Sequence, residues 1–104
     1  MNFSGGLADR HYALVLTAAS YNRKTGMAIV CAITSRIRGG PFEVLVPSGL
    51  LPAKSGVGAL SSVIVTDSVR QVDFRERECE FIAAAPRQVV EEVMGRLLTI
   101  LEDD

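Results

Sequence analysis

The 104-residue chain holds a single histidine and two cysteines, and no apolar run in it approaches the ~20 residues that cross a bilayer. Each scarcity closes off a class of protein. Cys31 and Cys79 lie far apart, each inside an apolar β-type run. That spacing matches neither a zinc site nor a redox pair, so both read as small buried hydrophobes. There is no glycine-rich phosphate loop, no cluster with metal-ligand spacing and no nucleophile elbow, so neither a cofactor nor a metal is expected. The N-terminus lacks a basic region followed by an apolar core, so it does not read as a secretory signal, and a cytoplasmic location is the expectation. Internal repeats and low-complexity tracts are lacking too.

What is present is 48% hydrophobic and 22% charged, with a net charge of −1. That composition describes one folded domain, residues 1–104, rather than a disordered chain. A domain of this size buries a modest share of its surface and gains stability from a partner subunit. The near-neutral total hides a split. Residues 1–77 carry nine Lys/Arg against five Asp/Glu, a net of +4, and residues 78–104 carry two against seven, a net of −5. A basic body with an acidic tail fits a surface that meets a polyanion.

Hydrophobic period supplies the elements. Tyr12–Thr17 and Met27–Ile33 are near-continuous apolar runs, as expected of strands covered on both faces. Ser20–Gly26 between them has the polar residues and glycine of a hairpin connection. Phe42–Val46, Ser62–Thr66 and Cys79–Ala83 complete the predicted strands. Met1–Arg10 and Pro47–Gly58 read as loops, and Asp67–Arg77 as a turn or short irregular helix. From Pro86 onward, Val89, Val90, Val93, Met94, Leu97, Leu98 and Leu101 recur at helical spacing, with a Glu92–Arg96 pair on the opposite face. The expected architecture is mainly β: about five strands in a small, partly open barrel, closed by one C-terminal helix.

The chemistry concentrates at the strand ends. His11 opens one run, and Thr34 and Ser35 close another. Arg36 and Arg38 sit in the loop up to Gly39-Gly40-Pro41. Singly, each has an ordinary reading: a solvated histidine, turn hydroxyls, arginines that keep a sheet edge soluble. Together they suit metal-free cleavage of a phosphodiester. RNA brings its own nucleophile, the 2′-hydroxyl. The protein then needs a proton acceptor, a proton donor and groups that steady the developing negative charge.

The run from Ala13 to Val46 resembles the MazF/PemK (ChpB-type) toxins of type II toxin–antitoxin modules. The likeness rests on the hairpin Tyr21-Asn22-Arg23-Lys24-Thr25-Gly26, the hydroxyl closing the second long strand, and Gly39-Gly40-Pro41-Phe42-Glu43-Val44. Thr66–Arg77 and the helix after Ala85-Pro86 extend it over about Arg10 to Leu101. The resemblance implies an SH3-like barrel of the MazF/PemK/CcdB type that forms a homodimer. It implies an endoribonuclease (mRNA interferase) that cuts single-stranded RNA at short sequence motifs without metal, leaving a 2′,3′-cyclic phosphate and a 5′-hydroxyl. A cognate MazE/PemI-like antitoxin would be its inhibitor. The family's catalytic threonine falls on Thr34. Its catalytic arginine falls on His11, with Arg10 one position early, so Arg10, His11 and Thr34 form the implied catalytic set. Arg36 and Arg38 match the loop that closes over RNA, and Ser35, Arg36 and Arg38 are the expected RNA-binding residues. The opening strand usual in the family is expected to be missing, because the chain begins near the loop that follows it.

Two other readings belong to different classes. A truncated, inactive homologue would still dimerise or bind antitoxin without cutting RNA. A CcdB-like gyrase poison would arrest growth with messenger RNA intact.

Overall fold

The computed structural model describes residues 2–5, 11–51 and 61–102, with the backbone alone for 2–5 and 11. Its strands are β1 (Asn2–Gly5), β2 (His11–Val15), β3 (Met27–Thr34), β4 (Glu43–Leu45), β5 (Val63–Asp73) and β6 (Glu80–Ala83). Two helices join them: α1 (Ala19–Thr25) between β2 and β3, and α2 (Arg87–Glu102) at the end. The strands form one six-stranded sheet in the order β4-β5-β3-β2-β1-β6, and every pairing is antiparallel.

Alternation along the central strands explains their unbroken hydrophobicity. Leu14, Cys31 and Ile33 face one core with Val44, Ile64 and Val93 of α2. Val15, Ala28 and Val30 of the same two strands face a second cluster with Val72, covered by Phe74 and Cys79. A strand buried on both sides cannot spare a polar position. Val93 is fully buried and contributes about 1.5–3 kcal/mol. Val89 and Val90 pack beside it. The helical stripe is covered only in part, since Met94, Leu98 and Leu101 are exposed.

Four expectations change. Asn2–Gly5 is a strand rather than part of a loop, and it fills the seam between β2 and β6. An opening strand, expected to be missing, is thus present in this short form. Its residues are weak strand formers, and pairing on both sides overrides that preference. The polar connection Ser20–Gly26 is mostly helical. Thr25 ends α1, and Gly26 terminates it at φ +71°, donating its N–H to the Asn22 carbonyl at 2.9 Å. Asp67–Asp73 continues β5 instead of turning. The β3–β5 register slips between Cys31 and Ile33: Met27–Cys31 pairs with Val69–Asp73, Ile33 and Thr34 pair with Ile64 and Val63, and Val63–Val65 pairs on its other edge with β4. An irregularity of this kind bends a strand and strengthens its twist. Finally, the strands number six rather than about five.

The cysteines are free. Cys31 is buried and its thiol donates to the Thr66 carbonyl at 3.7 Å. Burial, with a smaller contribution from Asp67, pushes that thiol up to about 11. Among the described residues no helix is long and apolar enough to cross a membrane.

Candidate active site

Thr34 is the last residue of β3 and is half-buried. Its hydroxyl oxygen accepts the Arg36 N–H at 3.1 Å, which turns the chain out of the sheet. On one side Thr34 pairs with Val63 of β5. On the other, β2 and β3 pair up to Tyr12 opposite Ile33. Carried one step on, that register sets His11, the first residue of β2, opposite Thr34. Opposed residues in an antiparallel pair have Cα atoms about 4.5–5.5 Å apart. His11 in turn pairs with Gly5 of β1. Arg10, the alternative occupant of the arginine role, lies outside the described residues.

Ser35, Arg36 and Arg38 are exposed in the loop that joins β3 to β4. The two guanidinium groups form no ion pair among the described residues. A polyanion would meet them without first displacing a carboxylate. The loop is nonetheless held in shape. The Glu43 carboxylate accepts the N–H of Arg38 at 3.0 Å and the N–H of Gly39 at 2.9 Å, one on each oxygen. Gly39 supplies the positive φ, +79°, that the turn needs. Arg96 of α2 donates to the Pro41 carbonyl and to Glu92, the latter at 3.0 Å. The Phe42 carbonyl accepts both the N–H and the hydroxyl of Thr66, each at 2.8 Å.

Glu43, Arg96 and Thr66 had no part in the expected site. Glu43 carried a local signal, a carboxylate just after a Gly-Gly-Pro turn, as a side-chain acceptor for turn amides. Arg96 carried none. It lies 55 positions from Pro41, and its helical neighbour Glu92 already gave it an ordinary ion-pair role. A cavity of about 300 Å³ sits elsewhere, between α1 and the turn joining β5 to β6. It is lined by Val15, Ala28, Phe74 and Cys79, at the far end of β3 from Thr34, and includes no residue of the candidate site.

What the arrangement offers is a hydroxyl and an imidazole-bearing position at adjoining strand ends, beside a braced basic loop. Residues 2–101 match the family model described as PemK-like, MazF-like toxin of type II toxin–antitoxin system. Endoribonuclease PemK of Escherichia coli is 34% identical over 89 residues, which is 85% of this chain. The chain spans 63% of that relative's length. A crystal structure of MazE-MazF (Form-II) from Deinococcus radiodurans is 36% identical and superposes with a TM-score of 0.84, covering 99% of this chain and 92% of the other. The Mycobacterium tuberculosis toxin MazF-mt6 is 16% identical with a TM-score of 0.74 over 98% of this chain and 95% of its own, a likeness of fold alone. With nearly its whole length matched and its strands, closing helix and basic loop in place, the chain belongs to the family of PemK-like, MazF-like toxins of type II toxin–antitoxin systems.

Proposed function

We propose that this protein is a cytoplasmic endoribonuclease that cuts single-stranded RNA, messenger RNA included, without a metal ion. The observation that supports the reading is the β2–β3 register, paired as far as Tyr12 opposite Ile33, whose next step brings the His11 and Thr34 positions together beside the loop of Ser35, Arg36 and Arg38. Kinship supports it, since the Escherichia coli relative is an endoribonuclease.

The 2′-hydroxyl of the substrate attacks the neighbouring phosphorus. His11, alone or with Arg10 as a clamp on the phosphate, takes the proton of that hydroxyl and returns one to the departing 5′-oxygen. Histidine exchanges protons near neutral pH, whereas arginine stays charged and serves as a clamp. The Thr34 hydroxyl accepts the Arg36 N–H through its oxygen, which leaves its own proton to donate to a phosphoryl oxygen as charge develops there. Ser35, Arg36 and Arg38 hold adjoining phosphates. Attack by the 2′-oxygen expels the 5′-oxygen of the next nucleotide, leaving a 2′,3′-cyclic phosphate and a 5′-hydroxyl.

A homodimer and a MazE/PemI-like antitoxin complete the proposal. The exposed Met94, Leu98 and Leu101 of α2 leave apolar surface for a subunit contact, and the Deinococcus radiodurans relative was crystallised with MazE.

Purified protein is expected to cut a long single-stranded RNA in EDTA. Thr34→Ala should lower kcat about 10²-fold or more, the usual effect of removing one preorganised donor to developing charge. Cleavage abolished by EDTA, or unaffected by Thr34→Ala, overturns the mechanism. RNA left intact while the protein still binds its antitoxin would instead select an inactive binding module.

A further inference from the structure

We propose that Glu43 and Arg96 are positioning residues for RNA. By fixing the backbone from Arg38 to Pro41, they aim the Arg36 and Arg38 guanidinium groups at the substrate's phosphates. The inference rests on the nuclease reading above and names residues to which that reading gives no role.

Successive amides in a tight turn form a concavity that binds anions. Here the Arg38 and Gly39 amides converge on an anion of the protein's own, the Glu43 carboxylate, at 3.0 and 2.9 Å. A substrate phosphate therefore does not find these amides vacant and must be held by side chains. Two cationic side chains on a glycine-rich loop serve that purpose only if the loop keeps one shape, because ordering it on binding would cost entropy. Glu43 fixes the loop from the β4 side. Arg96 fixes it from α2 through the Pro41 carbonyl, and its own guanidinium is oriented by Glu92 at 3.0 Å. Neither brace needs to reach the RNA, as both act on main-chain atoms of the loop.

The consequence is a specific kinetic pattern. A phosphate contact on single-stranded nucleic acid contributes a salt slope of about −0.7, so losing one weakens binding roughly fivefold at 0.1 M salt. Glu43→Ala and Arg96→Met should each raise KM for RNA by about that factor, flatten the salt dependence by about 0.7 and leave kcat near wild type. Glu43→Gln and Arg96→Lys, which keep part of each brace, should recover part of the loss. The pairs Glu43→Ala with Arg38→Ala and Arg96→Met with Arg38→Ala should be less than additive, because in each case both changes remove the same contact. Amide exchange at Arg38 and Gly39 should quicken in Glu43→Ala.

A merely structural role would lower the melting temperature and the active fraction without moving KM or the salt slope. Active wild-type enzyme with unchanged KM and slope in both brace variants, or full additivity with Arg38→Ala, overturns the inference and leaves the nuclease reading standing. Wild-type protein that neither binds nor cuts RNA overturns the reading, and the inference with it.

Discussion

Thr66→Val tests how the basic loop is anchored to the core. Thr66 is 0% exposed, and its N–H and hydroxyl both donate to the Phe42 carbonyl at 2.8 Å. Valine keeps the branched shape and removes only the hydroxyl. The carbonyl retains the N–H bond, so no buried acceptor is orphaned and the loss is one net hydrogen bond, about 0.5–1.5 kcal/mol. Thr66→Ser keeps the bond and gives up one buried methyl, about 0.8 kcal/mol before any cavity contribution. Thr66→Ala gives up both and should cost about 2–3 kcal/mol. For a domain of this size each kcal/mol lowers the melting temperature by about 4–8 °C. Valine and serine should therefore shift it comparably, and alanine about twice as far. Thermal unfolding at one fixed protein concentration measures the series, since a dimer's midpoint moves with concentration. A valine variant as stable as wild type, with serine and alanine both weakened, would show that the hydroxyl contributes nothing and that packing alone holds Phe42. A valine loss above about 3 kcal/mol would show that a buried polar group is left unpaired.

Other outcomes are as definite. Gly26→Ala places a β-carbon at φ +71° with its nearest neighbour, Arg75 Nη1, at an unstrained 3.8 Å. Urea titration should show a loss of about 1–2 kcal/mol from the backbone conformation itself. The Cys31 thiol is raised from 9.0 to about 11 by burial and then by Asp67, so the folded state holds its proton more tightly than the unfolded one. This contribution is intact below pH 9 and falls away as pH rises towards 11, by an amount on the order of 2–3 kcal/mol. The urea midpoint should therefore drop across that window in wild type and change less in Cys31→Ala. Arg36→Ala and Arg38→Ala should each reduce the salt slope of RNA binding by about 0.7, uniformly across RNA sequences, and a drop confined to one sequence would make them base readers instead.

The parts visible in the sequence are those governed by local pattern. Met27–Ile33 anticipated β3, which runs one residue further to Thr34, because a strand buried on both faces leaves an unbroken apolar run. The Val89–Val93 spacing anticipated α2 because a helix covered on one face repeats its apolar residues at helical intervals. Features that depend on distant partners stayed hidden. Asn2–Gly5 is a strand only because β2 and β6 lie on either side. Beyond Thr66, the polar residues of β5 face solvent and obscure its period, and the register slip against β3 breaks what pattern is left. α1 has no side-chain cap at Ala18, so nothing announced its start. At the site, Thr34 was legible as a hydroxyl that halts an apolar run. The clasp of Arg96 on Pro41 was not, since it joins segments without a shared motif.

The placement of β1 also fixes when the molecule can be finished. Its inner neighbour β2 follows within a few residues, but its outer neighbour arrives very late, with Ser4 pairing to Glu80. A chain emerging from the ribosome can assemble β2 and β3 early, yet the outer edge of β1 has no partner until β6, the last strand, has followed. Until that last strand emerges and zips against it, the growing polypeptide carries a bare margin on its sheet.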